Sequence, residues 1–285
     1  MPDTPHLDQD QRRLIADLAS AWRAYVPLAR KADEFVGGMG FKTVSGAAYL
    51  VRYFPDPVTG RKKFRSMGRQ TPLAEQKLHR WVQDRESYKE AIAEASARLD
   101  LTGRLAKAHR LARVPAKTGD FLRKLDLLGV LDDGLAVCGP VALYAYEMDA
   151  GQLAPHFFYR STGRPDVELT SLLRFDHLKE ILKASLGEGS RLRPTDSALE
   201  GHIDGFCVVI HDASELFSEF SSMTAMSASR DSKPVPVTAV SRRDWITIEK
   251  WIASDDPLFE DRCEFVIATM SDDEQSHLED GRITF

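Results

Sequence analysis

The chain has 285 residues, 43% of them hydrophobic, and a formal net charge of −5; this suffices for one large or two modest domains and excludes disorder throughout. The acidic balance argues against a general polyanion binder while leaving room for a local basic patch. The longest apolar stretch, 135–146, is broken by Gly139 and Pro140, and Cys138, Cys207 and Cys263 make no disulfide framework, so a cytoplasmic protein without a membrane span is expected.

From about Asp10 to Ala32 the apolar residues Leu14, Leu18 and Trp22 recur at helical spacing, and Gly37-Gly38 ends that segment. The runs AAYLVRYF and RKKFRSM, within Ala47 to Met67, predict a β-hairpin joined by the turn-forming residues 55–60. Thr71-Pro72 supplies an N-cap and an N1 proline, and Leu78, Trp81, Tyr88, Ile92 and Leu99 then trace a long helix to about Leu101. Arg113-Val114-Pro115 interrupts the pattern. This places a boundary between an N-terminal helical region, 1–114, carrying the hairpin, and a second domain, 115–285. A helix over Phe121 to Leu128, closed by Gly129, opens the second domain.

There follow a strand (Leu135 to Cys138), a helix (Val141 to Asp149), a strand (Asp166 to Leu169), a helix (Asp176 to Leu186) and a strand (Phe206 to His211). The alternation predicts an α+β or α/β fold, a sheet with flanking helices. Val235 to Val240 adds a strand. Ser241 with Asp244 and Ser271 with Glu274 cap two late helices, and Asp256-Pro257 starts one between them.

One constellation carries chemistry. A strand that ends in a glycine turn and enters a helix offers backbone N–H groups and the positive helix end to a phosphate, which makes Gly139 a candidate binding residue. Asp166 and Glu168 alternate with Val167 and Leu169, so period-2 geometry puts both carboxylates on one strand face. Two adjacent acids repel unless a cation or a shared proton intervenes, and an oxygen-ligated Mg²⁺ or Mn²⁺ is the natural partner. The plain alternatives are a simple turn and a solvated strand face.

The run Leu135-Ala136-Val137-Cys138-Gly139-Pro140-Val141-Ala142-Leu143-Tyr144-Ala145-Tyr146-Glu147, followed by Asp166-Val167-Glu168-Leu169, resembles a bacterial family of nucleotidyltransferase-like proteins with the polymerase-beta type fold. Gly38-Met39-Gly40-Phe41-Lys42, Tyr49-Leu50, Ser66-Met67-Gly68, Arg113-Val114-Pro115, Gly205-Phe206 and Lys250-Trp251-Ile252 resemble its further landmarks. The resemblance implies a nucleotidyltransferase-fold mixed sheet with flanking helices, Gly139 in the triphosphate turn, and Asp166 and Glu168 as catalytic metal ligands. Pro140 stands where the family has Ser or Thr, Glu168 where Asp is usual, and Val209 at or near the expected third carboxylate. Asp204 and Asp212 lie at the ends of that strand, and Asp212 differs from Val209 by an odd register.

Lys250 is a candidate phosphate contact. The basic stretch from Arg98 to Lys124 and the hairpin cations Arg61, Lys62, Lys63 and Arg65 are candidates for RNA or triphosphate, or are solvated faces. Glu147 and Asp149 read as salt-bridge or surface residues ahead of a general base, and His202 and His211 as hydrogen-bonding residues ahead of groups acting near a metal. No G-x-S-x-G elbow, Walker A sequence, Rossmann fingerprint or zinc spacing is present. The expected function is Mg²⁺-dependent transfer of a nucleoside monophosphate from an NTP to a hydroxyl of RNA, protein or a small molecule. The alternative is a catalytically degenerate version of the same fold that binds a nucleotide, an RNA or a protein.

Overall fold

A computed structural model describes residues 5–56, 61–131, 134–159, 163–253 and 255–280, the side chains of 277–280 excepted. The chain falls into two compact units, residues 21–99 and residues 1–20 with 100–285.

The smaller unit holds the end of helix α1 (Gln9–Arg30), the short α2 (Ala32–Phe35), strands β1 (Gly38–Val44), β2 (Ala47–Pro55) and β3 (Lys62–Arg69), and most of α3 (Pro72–Ala108). The hairpin expected from the sequence is β2 paired antiparallel with β3, with Tyr53 opposite Phe64; residues 57–60 of its connection lie outside the described residues. Strand β1 carries no periodic mark in the sequence. It pairs antiparallel with β2 through Ser45 and Gly46, both at positive φ (49° and 77°), as a tight hairpin requires. The Thr71 hydroxyl accepts the Ala74 N–H (3.2 Å) and caps α3. That helix runs past Leu101 to Ala108 because the residues after Gly103 are good helix formers.

The larger unit is built on an eight-stranded mixed sheet. Its strands in chain order are β4 (Ala112–Val114), β5 (Leu135–Cys138), β6 (Val167–Ser171), β7 (Arg191–Pro194), β8 (Ala198–Ile203), β9 (Phe206–Asp212), β10 (Ser222–Ser229) and β11 (Pro234–Val240). Their spatial order is β4-β10-β11-β5-β6-β9-β8-β7. Strand β5 runs antiparallel to β6, and β6 parallel to β9. β11 joins β5 through a single residue pair, Ala239 with Val137.

Helices α4 (Ala116–Leu128), α5 (Gly139–Ala150), α6 (Phe175–Leu186), α7 (Arg242–Ala253), α8 (Phe259–Ala268) and α9 (Asp272–Asp280) complete the unit. The first ten residues of α5 are all buried, and Glu147 is the one charged residue among them, as expected of a helix that is apolar nearly all round. It packs across β10, β11, β5 and β6. Tyr146, Trp245, Phe265, Leu143 and Leu169 are among the largest side chains in the core. Of the two late capping boxes, Ser271 and Glu274 exchange both bonds, whereas Ser241 Oγ accepts the Asp244 N–H (3.1 Å) and its own N–H donates to the Ser221 carbonyl instead.

The division between units falls at 99/100, whereas the sequence placed a boundary at 114/115. The physical reason is β4: Ala112 pairs with Ala228 and Val114 with Ser229, which ties the segment before Pro115 to the large sheet. The architecture is therefore a mixed α+β fold with helices flanking a mixed sheet. Among the described residues no helix is long and apolar enough to cross a membrane.

Candidate functional site

Strand β5 delivers the chain to Gly139, which turns at φ 63° into α5 with Pro140 at the first helical turn. Glu168 of β6 lies directly across this turn, paired with Cys138 in the ladder. A Cβ on residue 139 would sit 3.0 Å from Glu168 Cβ and 3.1 Å from its Cδ. The glycine is therefore demanded both by its backbone angle and by the close approach of Glu168. The Gly139 carbonyl accepts the Trp245 indole N–H (2.9 Å), which fixes the turn from the side of α7. Gly139→Ala is expected to destabilise the protein by about 1–3 kcal/mol, through positive-φ strain and displacement of Glu168. Urea unfolding measures this, and a change within about 0.5 kcal/mol would show that Glu168 yields freely.

Glu168 is only 3% exposed. Arg164 grips it with two bonds of 2.6 Å, Nε to Oε1 and Nη2 to Oε2. The same guanidinium reaches Glu249 of α7, Nη1 to Oε2 at 2.7 Å and Nη2 to Oε1 at 2.8 Å. Asp256 stands 3.6 Å from Arg164 and 2.8 Å from Arg262. His211 Nε2 is 3.4 Å from Glu168 Oε2. Arg164 is thus a shared cation between two buried carboxylates that would otherwise repel.

Burial disfavours the charged form of both acids, and their partners decide the outcome differently. Glu168 is held below the usual carboxylate range because His211 and Arg164 outweigh its burial. Glu249 is raised: burial, with the Glu168 charge beside it, outweighs Arg164. Burial works against the charge of Arg164 too, but the bonds from Glu249 and Glu168 raise its pKa above the ordinary value.

Asp166 precedes β6 and is exposed. Its carboxylate accepts the Cys207 N–H (2.7 Å), and its own N–H donates to the Cys207 carbonyl (2.9 Å), so it is tied to the start of β9. In the β6–β9 ladder Val209 stands opposite Glu168. His211, two residues on and so on the same face, is the group that β9 brings to the acid. Asp212 pairs with Ser171 and accepts the Ser214 N–H, while the Asp204 carbonyl accepts from Lys117.

This donor set does not fit Mg²⁺ or Mn²⁺ as arranged. Both oxygens of Glu168 are taken by the guanidinium, and the position opposite is an aliphatic valine. Among the described residues no group of three or more His, Cys, Asp or Glu is placed to hold a metal ion.

A cleft of about 340 Å³ opens at the turn, lined by Thr118, Pro140, Val141, Tyr159, Arg164, Asp166 and Glu168 among others. The structure therefore gathers Asp166 and Glu168 on the cleft wall next to the Gly139 turn. Lys250 does not line the cleft; it is exposed on α7, and the residue that α7 turns inward is its neighbour Glu249. Arg164 and Glu249 were not singled out from the sequence. Their partnership spans 85 residues and leaves no periodic trace.

Behind the cleft lies a second buried acid. Glu147 is completely buried, accepts the Tyr159 hydroxyl (2.6 Å) and the Ala154 N–H (3.0 Å), and faces Arg113 at 3.4 Å. Tyr159 in turn stacks on Tyr144, with centroids 4.0 Å apart. Part of the basic stretch before Lys124 is therefore internal: Arg113 also donates to the Ala154 carbonyl, and buried Arg123 donates to Ser229 and Pro234.

Comparison with models of known protein families and with curated proteins yields no match.

Proposed function

We propose that this chain is a nucleotidyltransferase-type module that binds a nucleotide in the cleft beside Gly139 and does not carry out metal-dependent transfer. The observation that carries the proposal is Arg164. It supplies, from within the chain, the positive charge that the two buried acids beside the turn, Glu168 and Glu249, require. The cleft is of ligand-pocket size, and the polar groups of Thr118, Tyr159, Arg164, Asp166 and Glu168 make up more of its exposed wall than apolar atoms do. The N-terminus of α5 adds a partial positive charge at one end. Pro140 removes one N–H that a phosphate would use, which fits binding better than tight triphosphate handling.

A second reading, Mg²⁺-dependent transfer to RNA, protein or a small molecule, draws on the order strand, glycine turn, helix and acidic strand, with Glu168 against the turn. It requires Arg164 to leave Glu168. Calorimetric titration with each of the four NTPs, in Mg²⁺ and in EDTA, separates the two readings. Equal affinity in both conditions without pyrophosphate release is the expected result. Pyrophosphate release that depends on Mg²⁺ and disappears in Asp166→Ala would replace it with the transferase. No binding of any NTP would remove the nucleotide from the proposal.

A further inference from the structure

Between Gly38 and Arg69 the sequence carries seven Lys or Arg against a single Asp, on an otherwise acidic chain. That Asp, Asp56, is itself buried and paired with Lys63. All seven cations sit on or beside the three-stranded sheet of the smaller unit, and every residue of β3 is exposed.

Strand pairing sorts these residues into two faces. Residues opposite one another in a ladder share a face, and faces alternate along each strand. Tyr53 pairs with both Gly38 and Phe64, and Tyr49 with both Lys42 and Arg69. One face therefore presents Lys42, Tyr49, Tyr53, Lys62, Phe64 and Arg69. On the opposite face Leu50 is fully buried and Arg52 lies over the Trp81 ring of α3.

The first face is an aromatic platform edged by cations. The Tyr53 and Phe64 rings lie 6.3 Å apart. Lys42 Nζ stands 4.4 Å from the Phe64 centroid, and Lys62 Nζ 5.6 Å from the Tyr53 centroid. Phe64 remains 53% exposed. Opposite Tyr53, Gly38 leaves the space that the ring fills: a Cβ there would lie 2.2 Å from Tyr53 Cζ. Lysines on an edge strand discourage aggregation, and that would explain β3 alone. It does not explain a large exposed ring in the middle of the strand beside a second ring, each with an ammonium within reach.

The geometry points to this face as a binding surface for single-stranded nucleic acid. Stacking of unpaired bases on Phe64 and Tyr53 supplies sequence-tolerant affinity, while Lys42, Lys62 and Arg69 meet the phosphates. A duplex keeps its bases stacked on each other and cannot use the rings. The inference concerns a different surface from the cleft at Gly139 and does not depend on what binds there.

The test is fluorescence anisotropy with the full chain and labelled oligo(U) RNA and oligo(dU) DNA of about 12 nucleotides, beside a duplex of equal length, at about 50 mM salt. Either single strand should bind more tightly than the duplex, and the two arms show whether the 2′-hydroxyl contributes. Phe64→Ala should weaken binding about tenfold, and Phe64→Trp should preserve it. Lys42→Ala should make binding less sensitive to salt. Circular dichroism and the NTP titration confirm that the exposed substitution leaves the rest of the chain intact. No binding of either strand, a duplex bound as tightly, or an unchanged affinity in a folded Phe64→Ala overturns the proposal; the first of these would leave the face to a protein partner.

Discussion

Replacing Arg164 by methionine is expected to lower stability by about 3–5 kcal/mol near pH 8, one of the largest losses available to a single substitution in this chain. The variant keeps most of the side-chain length and removes only the charge and the donors. Glu168 and Glu249, both almost completely buried, then face each other without the guanidinium between them, and Arg262 is the remaining arginine that acts on Glu249. An uncompensated buried carboxylate is relieved by taking up a proton, so much of the loss should be recovered as the pH is lowered towards 5. Glu249→Gln in the same background should restore several kilocalories per mole, because it removes one of the two conflicting charges. Urea titrations of the two single variants and the double variant give the coupling directly. A loss below about 1 kcal/mol for Arg164→Met would mean that the contact behaves as a surface ion pair, and would undercut its role as the internal cation.

The second expectation concerns Glu147, whose carboxyl burial pushes up to about 7 in the folded protein, against the opposing pull of Arg113, the Tyr159 hydroxyl and the Ala154 N–H. In the unfolded chain the same group titrates near the ordinary value of 4.5. Between those two values the folded state holds a proton that the unfolded state has lost, so this contribution to stability is complete below about 4.5 and is lost as pH rises through about 7. Glu249 acts in the same direction. Glu168 and Asp231, both lowered, lose their contributions only at more acid pH. On moving from pH 8 to 5.5 the protein should therefore gain about 2 kcal/mol from Glu147. Glu147→Gln keeps the shape of the group and should flatten the profile. A slope unchanged in that variant would assign the titration to another residue.

Much of the architecture was legible because it follows from local chemistry. The hairpin of β2 and β3 shows in its alternation and its turn formers. The start of α3 shows in Thr71-Pro72, and β5, α5 and β6 in an apolar run broken once by glycine. The missing strands lacked such marks. β1 carries Gly38 and Gly40, and β8 contains Gly201. β10 reads Ser-Met-Thr-Ala-Met-Ser-Ala-Ser, too small and polar to stand out as a strand, and its last four residues are all buried, the serines as well as the apolar residues between them. Its place in the sheet is decided by β11 and β4 on either side, which no window of sequence reports. The same contrast holds at the cleft. Asp166 and Glu168 declare themselves by their spacing of two, and the family resemblance pointed to the same pair. The guanidinium that grips Glu168 belongs to a loop of no regular pattern, and its other partner arrives on a helix far along the chain. Patterns of two and of 3.6 residues report which face a side chain takes, but not which side chain from elsewhere will meet it.

The single residue pair between β11 and β5 gives the large sheet a seam. On one side lie three strands, on the other five, and backbone hydrogen bonding across the join is slight. The two parts are held as one chiefly by α5, laid over strands from both sides and buried along its first ten residues. That helix works as a splint, and its first residue is Gly139. A ligand seated at the turn would press on the end of the splint, so its binding would be felt in both parts of the sheet at once. Amide hydrogen exchange would register this as slower opening in β10 and β11 as well as in β6, although neither β10 nor β11 contributes a side chain to the cleft wall.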